Sequence, residues 1–151
     1  MKKINFISKA ALIATFYISL TLLLSPFSFG IMQLRFSEAL CILAFFFPEA
    51  ILGLFIGCLL SNIIAGCGFL DIILGSLATL LSSYLSYKTN NIFLASFYVI
   101  FINAICVGSI VAYVAGLPMW IGFISIFISE AIATLCLGIP LGKFLHLVKH
   151  K

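Results

Sequence analysis

The sequence predicts an all-α membrane protein, a compact bundle of six transmembrane helices with both termini cytoplasmic. Three observations carry that expectation. Of the 151 residues, 64% are hydrophobic and 8% are charged, and the mean hydropathy is +1.34. A soluble domain of this size keeps much of its surface in water and is about one quarter charged, so lipid is the solvent that suits this chain. Runs such as Ile51–Leu60 and Ile121–Ile128 are apolar nearly all round, which excludes barrel strands, where apolar and polar residues alternate. The lysines, finally, sort to one side of a six-span arrangement. Residues 1–151 read as a single integral membrane domain.

A crossing helix needs about 20 apolar residues, and fewer where the bilayer thins or the helix ends lie in protein. The first span runs from about Ile7 to Leu24 and ends before Pro26. Lys2, Lys3 and Lys9 ahead of Ala10–Leu24 look like the start of a signal peptide, but no small-x-small cleavage site follows, so the helix is expected to be retained. The second span starts near Ser37 and stops at Pro48, because proline disfavours helix in the residue before it. The third continues from Glu49 to about Ala65, where Gly66-Cys67-Gly68 breaks it. The second and third are short, which suits tilted or re-entrant segments. The fourth covers about Leu70 to Tyr87 and the fifth about Ile92 to Ala115. Gly116-Leu117-Pro118 turns the chain into the sixth, about Met119 to His146.

Six spans put both termini on one side, with the loops after spans two and four. That side then holds Lys2, Lys3, Lys9, Lys88, Lys143, Lys149 and Lys151, and the other holds Arg35. Positive residues favour the cytoplasm, so both termini are expected there. Five spans would divide the terminal lysines between the two faces.

Charges inside a span cost about 2.5–3.5 kcal/mol by insertion scales and usually face the bundle interior. Glu38 opens span two from outside, and Asp71 opens span four from outside. Glu130 stands near mid-membrane in span six, Asn62 near the outer end of span three, and Asn103 near the middle of span five. Gln33 and Arg35 occupy the outer loop before span two. Groups from five parts of the sequence therefore converge on the outer half and midplane, which points to a bound polar solute. Structural alternatives stand beside this. Ser37 and Glu38 could cap span two, Asp71 could cap span four, and Arg35 could pair with Glu38 or a lipid phosphate. Asn62 and Asn103 could join helices. Glu49 reads as a helix-start residue or a cytoplasmic contact. Trp120 reads as an interfacial anchor or a stacking surface for a planar ligand.

Ala10 and Ala14 share one face of span one, and Gly53 and Gly57 repeat the spacing on span three. Small-xxx-small spacing lets helices approach closely, either within the bundle or against another membrane subunit. Cys41, Cys58, Cys67, Cys106 and Cys136 lack a CxxC pair and read as small residues in helix interfaces. No Walker A loop, HExxH or GxSxG occurs, and His146 and His150 sit in the basic tail. The expectation is therefore no enzyme, no cofactor and no metal site, with coupling energy supplied from elsewhere. The cations form no stripe, so nucleic acid is not an expected partner.

Gln33–Leu40 (QLRFSEAL), Phe47–Cys58 (FPEAILGLFIGC), Asp71–Leu80 (DIILGSLATL), Ile102-Asn103-Ala104, Ser129-Glu130-Ala131 and Leu137–Leu141 (LGIPL) resemble the QueT family of queuosine-precursor transporters. The likeness runs from about Lys9 to Leu141. It implies a substrate-binding S component of an energy-coupling factor importer in the bacterial cytoplasmic membrane. It further implies six helices, a transmembrane coupling subunit and two cytoplasmic ATPase subunits as partners, and queuine or 7-deazaguanine precursors as the small-molecule substrate. On that reading Ala10 and Ala14 dock the coupling subunit. The substrate-binding candidates are Arg35, Glu38, Asn62, Asp71, Asn103, Trp120 and Glu130. The competing readings are an S component for another heteroaromatic vitamin and a self-sufficient secondary transporter.

Overall fold

The computed structural model describes residues 2–28 and 33–149, with side chains placed for 5–26, 28 and 33–145. Among these the regular elements are all helical. The first helix, α1 (Lys2–Leu23), passes into a further turn, α2 (Ser25–Ser28). The Ser28 amide donates to the Leu24 carbonyl at 3.0 Å, so the helical path carries on past Pro26. Proline near a helix start has no needed amide to lose, which is why the expected stop before Pro26 comes a turn early.

The second expected span is two pieces, a 3-10 segment Phe36–Ile42 and α3 (Leu43–Phe46). A 3-10 turn rises about 2.0 Å per residue against about 1.5 Å for an α-helix, so Phe36–Phe46 reaches about 20 Å. Phe47 is extended at φ −134° and ψ 116°, as the residue before a proline must be. Pro48 then opens α4 (Pro48–Ile64). The boundary drawn at Pro48 holds.

Gly66 ends this column with φ at +70°. A π-helical segment, Asp71–Gly75, leads into α5 (Ser76–Lys88). The next helix, α6 (Ile92–Ala115), has the expected bounds: the Asn91 side chain accepts from the Phe93 amide, and Gly116 closes it in the left-handed region at φ 64°. The last column is α7 (Met119–Ala131), a π segment Ile132–Gly138, and α8 (Ile139–Lys149). Among the described residues three stretches are long and apolar enough to cross a membrane alone, Asn5–Leu23, Ile92–Ala115 and Met119–Leu145. Phe36–Phe46 and Pro48–Ile64 are shorter apolar helices, and six helical columns fit the expected count.

Two close crossings hold the bundle. A Cβ added at Gly53 would stand 2.5 Å from the Ala10 carbonyl oxygen, and one at Gly57 would stand 2.8 Å from Tyr17 Cβ. Because both numbers climb together, α1 and α4 run parallel with their backbones nearly touching. Antiparallel α6 and α7 meet likewise: a Cβ at Gly122 would collide with the Gly108 carbonyl oxygen and stand 2.8 Å from Ala112 Cβ. Small residues permit these approaches where lipid supplies no hydrophobic drive.

Lys9 pairs with Glu49 at 3.2 Å, joining α1 to the first turn of α4. Gly142 of α8 lies against Ile92, Ile42 and Phe46. Lys9, Lys88 and Lys143 therefore share one end of the bundle. Lys2, Lys3, Lys149, Lys151, His146 and His150 lie outside the described side chains. The outer surface carries large apolar side chains such as Phe16, Phe69 and Tyr113, while Arg35, Glu38, Asn62, Asn103 and Glu130 are buried. A water-soluble core inverts that arrangement; a bundle in lipid requires it.

Candidate functional site

The buried polar groups gather where the helices stop being α-helical. Glu38 lies in the 3-10 segment, Asp71 opens one π segment, and Glu130 stands two residues before the other. Such departures from α geometry often mark functional sites.

In a 3-10 helix side chains at i and i+3 eclipse, so Cys41 stacks over Glu38, and its thiol approaches Oε2 at 3.0 Å. The Tyr17 hydroxyl donates to Glu38 Oε1 in a very short hydrogen bond, and Thr79 Oγ1 lies 3.5 Å from the same oxygen. Glu38 is 1% exposed, and both its oxygens are engaged by protein groups. One turn along α1 from Tyr17, Thr21 donates to the Tyr17 carbonyl at 2.8 Å and accepts from Ser37 Oγ at 2.7 Å. Ser37 is thus tied to α1, and the helix-start position before this segment makes no side-chain cap. Tyr17→Phe deletes a donor to a buried carboxylate. It is expected to lower stability by about 2 kcal/mol, read as a lower unfolding temperature in detergent.

The Arg35 guanidinium is buried, with Nη1 3.8 Å from Cys58 Sγ. It lies within electrostatic reach of Glu38 and Asp71, and of Glu130. One cation therefore faces three acids. Asn62 donates to the Asp71 carbonyl at 3.0 Å, tying α4 to a carbonyl of the π segment. The Asp71 side chain itself meets Gln33, whose backbone sits in the left-handed region at φ 39°. Helix residues Phe69 and Leu70 precede Asp71, so the capping reading of Asp71 is set aside.

Asn103 of α6 and Glu130 of α7 are 1% and 5% exposed. Asn103 Nδ2 and Glu130 Oε2 have no hydrogen-bond partner among the described residues, and neither does Thr134 Oγ1 in the adjoining π segment. A Cβ at Gly138 would lie 3.2 Å from the Ala39 carbonyl and 3.6 Å from Thr134 Cγ2. This π segment therefore packs on the 3-10 segment that holds Glu38.

Arg35, Glu38, Asn62, Asp71, Asn103 and Glu130 thus all lie in or beside the buried polar interior. Trp120 does not: it is 65% exposed at the start of α7, where the anchor reading suits it better than stacking. Ala10 and Ala14 are 4% and 6% exposed and lie in the α1–α4 crossing; they also floor a groove walled by Ile7, Ala11 and Thr15 on one side and Leu52 and Ile56 on the other. The cysteine reading needs correcting in part. Cys41 and Cys58 are buried as expected, but their sulfurs meet Glu38 and Arg35, whereas Cys136 is exposed. The sequence reading missed Tyr17, Thr79 and Thr134. Tyr17 and Thr134 had a usable signal, standing three and four residues after Ala14 and Glu130 on faces already singled out. Among the described residues no group of three metal-ligating side chains converges.

Over 72 residues the chain is 40% identical to the queuosine precursor transporter QueT of Lactococcus lactis subsp. cremoris (strain MG1363). That stretch is 46% of this chain and 42% of that relative's length. No solved structure matches. The family model described as QueT transporter matches residues 7–147, nearly the whole chain and every polar position of the interior, and the chain belongs to the QueT transporter family.

Proposed function

We propose that the protein is the substrate-binding S component of an energy-coupling factor importer, and that it takes up queuine or another 7-deazaguanine queuosine precursor through the bacterial cytoplasmic membrane. Residues 1–151 then form one integral membrane domain with both termini inside, on the end that carries Lys9, Lys88 and Lys143. The observation that carries the reading is a buried set of two acids, one arginine and two asparagines inside an apolar shell, with the half-buried Asp71 beside it. Such groups are expensive in a membrane unless they serve a solute. Family membership and the name of the Lactococcus relative support the substrate class. A guanine-like edge offers adjacent N–H donors, which a carboxylate accepts in pairs. Arg35, Asn62, Asp71, Asn103 and Glu130 form the site in this reading, and Glu38 frames it. Trp120 remains outside it.

The partners are a transmembrane coupling subunit and two cytoplasmic ATPases, since the chain carries no nucleotide-binding loop of its own. The coupling subunit docks on the α1–α4 groove over Ala10 and Ala14. Leucine at either alanine would push α1 off α4, because the Ala10 carbonyl already sits against Gly53. Ala11, exposed on the groove wall, is the cleaner probe. Ala11→Phe is expected to leave queuine binding unchanged and reduce uptake by the full complex at least about 10-fold. Uptake of labelled queuine into liposomes tests the class itself. Uptake is expected with the coupling subunit, ATPases and ATP, and not with this chain alone. Uptake by the chain alone would make it a self-sufficient secondary transporter.

A further inference from the structure

Among the described residues two buried hydroxyls, Ser83 in α5 and Thr134 in the last column, have no hydrogen-bond partner. Nine helical Ser and Thr side chains donate to the carbonyl four residues back: Thr15, Thr21, Ser28, Ser76, Thr79, Ser86, Ser96, Ser109 and Ser129. That is the ordinary way for a hydroxyl to satisfy itself inside a helix. Thr134 is fully buried and does not do so. Its fourth residue back is Glu130, and wider π turns keep i and i+4 close to one face. The unpartnered Thr134 Oγ1 and Glu130 Oε2 therefore look out from the same side of the last column. Asn103 answers from α6. With Gly108 against Gly122 in the antiparallel α6–α7 pair, Asn103 is level with about residue 127, roughly 4.5 Å along the axis from Glu130. Its Nδ2 is also buried without a partner among the described residues. Three adjacent buried polar side chains thus hold one acceptor, one donor and one group able to act as either.

Glu38 differs. Its carboxylate already takes Tyr17 on one oxygen and Cys41 on the other. Buried polar atoms are rarely left unpaired, so an open set beside an acid that already holds a protein donor on each oxygen marks where foreign donors and acceptors go.

We infer that Asn103, Glu130 and Thr134 read the hydrogen-bonding edge of the substrate's six-membered ring, while Glu38 is a positioning residue that frames the site. Glu130 accepts the paired donors of an N–H and an exocyclic amine. Asn103 and Thr134 donate to the neighbouring ring carbonyl. The inference rests on the proposed 7-deazaguanine substrate and assigns the roles within that site.

The test crosses two ligands with four proteins, titrating 7-deazaguanine and 7-deazahypoxanthine, which lacks the exocyclic amine, by calorimetry in detergent. Wild type is expected to prefer 7-deazaguanine by about 10-fold or more, the worth of one hydrogen bond to a charged group. In Glu130→Gln that preference should shrink to about 3-fold or less. Asn103→Ala should weaken both ligands about equally, by roughly 5- to 10-fold, and Glu38→Gln should keep the preference while lowering the unfolding temperature. A preference that survives Glu130→Gln in folded protein, or one that collapses in Glu38→Gln instead, overturns the assignment and leaves the substrate class standing. Folded wild type that binds neither ligand nor queuine overturns the substrate class, and the assignment with it.

Discussion

Gly122→Val is expected to destabilise the bundle by about 3 kcal/mol or more, at the upper end of what overpacking a well-packed interface usually costs. The magnitude follows from what the new side chain meets. The obstacle is backbone: the Gly108 carbonyl oxygen and, beyond it, the Ala112 side chain 2.8 Å away. A flexible side chain could swing aside, but the carbonyl moves only with its helix. Separating α6 from α7 would also shift Asn103 relative to Glu130, so binding should fall along with stability. Gly68 supplies the control, because a Cβ there meets nothing within 4 Å. Gly68→Ala should match wild type in thermal unfolding and in monodisperse yield. If Gly122→Val also matched wild type, the close α6–α7 crossing would be wrong.

Arg35→Leu should be comparably damaging for a different reason. It removes the one buried cation, among the described residues, within electrostatic reach of Glu38, Asp71 and Glu130. Removing one partner of a buried ion pair typically costs about 3–5 kcal/mol, because the remaining charge is left uncompensated. A second substitution separates this from lost packing. In Arg35→Leu with Glu130→Gln, one of the opposed acids is gone, so part of the lost stability should return. Groups in one electrostatic network couple in this way, whereas independent sites add. Strictly additive unfolding temperatures would mean that Arg35 does not balance the acids.

Much of this fold was legible because the signals are coarse and physical. Apolar length, the Pro48 break, the Gly66 and Gly116 turns and the lysine asymmetry each report on the backbone or on lipid. The bounds of α6, Ile92–Ala115, were readable because Asn91 and Gly116 punctuate it on both sides. What escaped the sequence was the kind of helix. Nothing in FSEALCI announces a 3-10 segment, since its residue types suit an α-helix too. Packing against α1, through Tyr17 and Thr21, accompanies the tighter winding. The π segments beside Asp71 and Glu130 were equally invisible.

The same limit applied to the site. Rarity of polar and charged side chains within apolar spans was enough to single out Glu38, Asn103 and Glu130, because lipid makes such residues conspicuous. Composition could not divide their roles. That division lies in hydrogen-bond accounting, where each Glu38 oxygen holds a protein donor and Glu130 Oε2 holds none among the described residues. Trp120 stood out by type alone, and its neighbourhood decided against it. Ala10 and Ala14 stood out by spacing, which cannot tell a crossing inside the bundle from a surface for a partner. The structure places them in the α1–α4 crossing and at the floor of a groove, so one pair of alanines can serve both.

Queuine titrated into the purified, detergent-solubilised protein, followed by calorimetry, is the most direct test of the central claim that the buried polar interior is a site for a 7-deazaguanine. The account predicts one-to-one binding with a sub-micromolar dissociation constant that guanine does not match, weakened in Glu130→Gln protein of unchanged fold. Absence of heat or saturation with protein shown to be folded would contradict it.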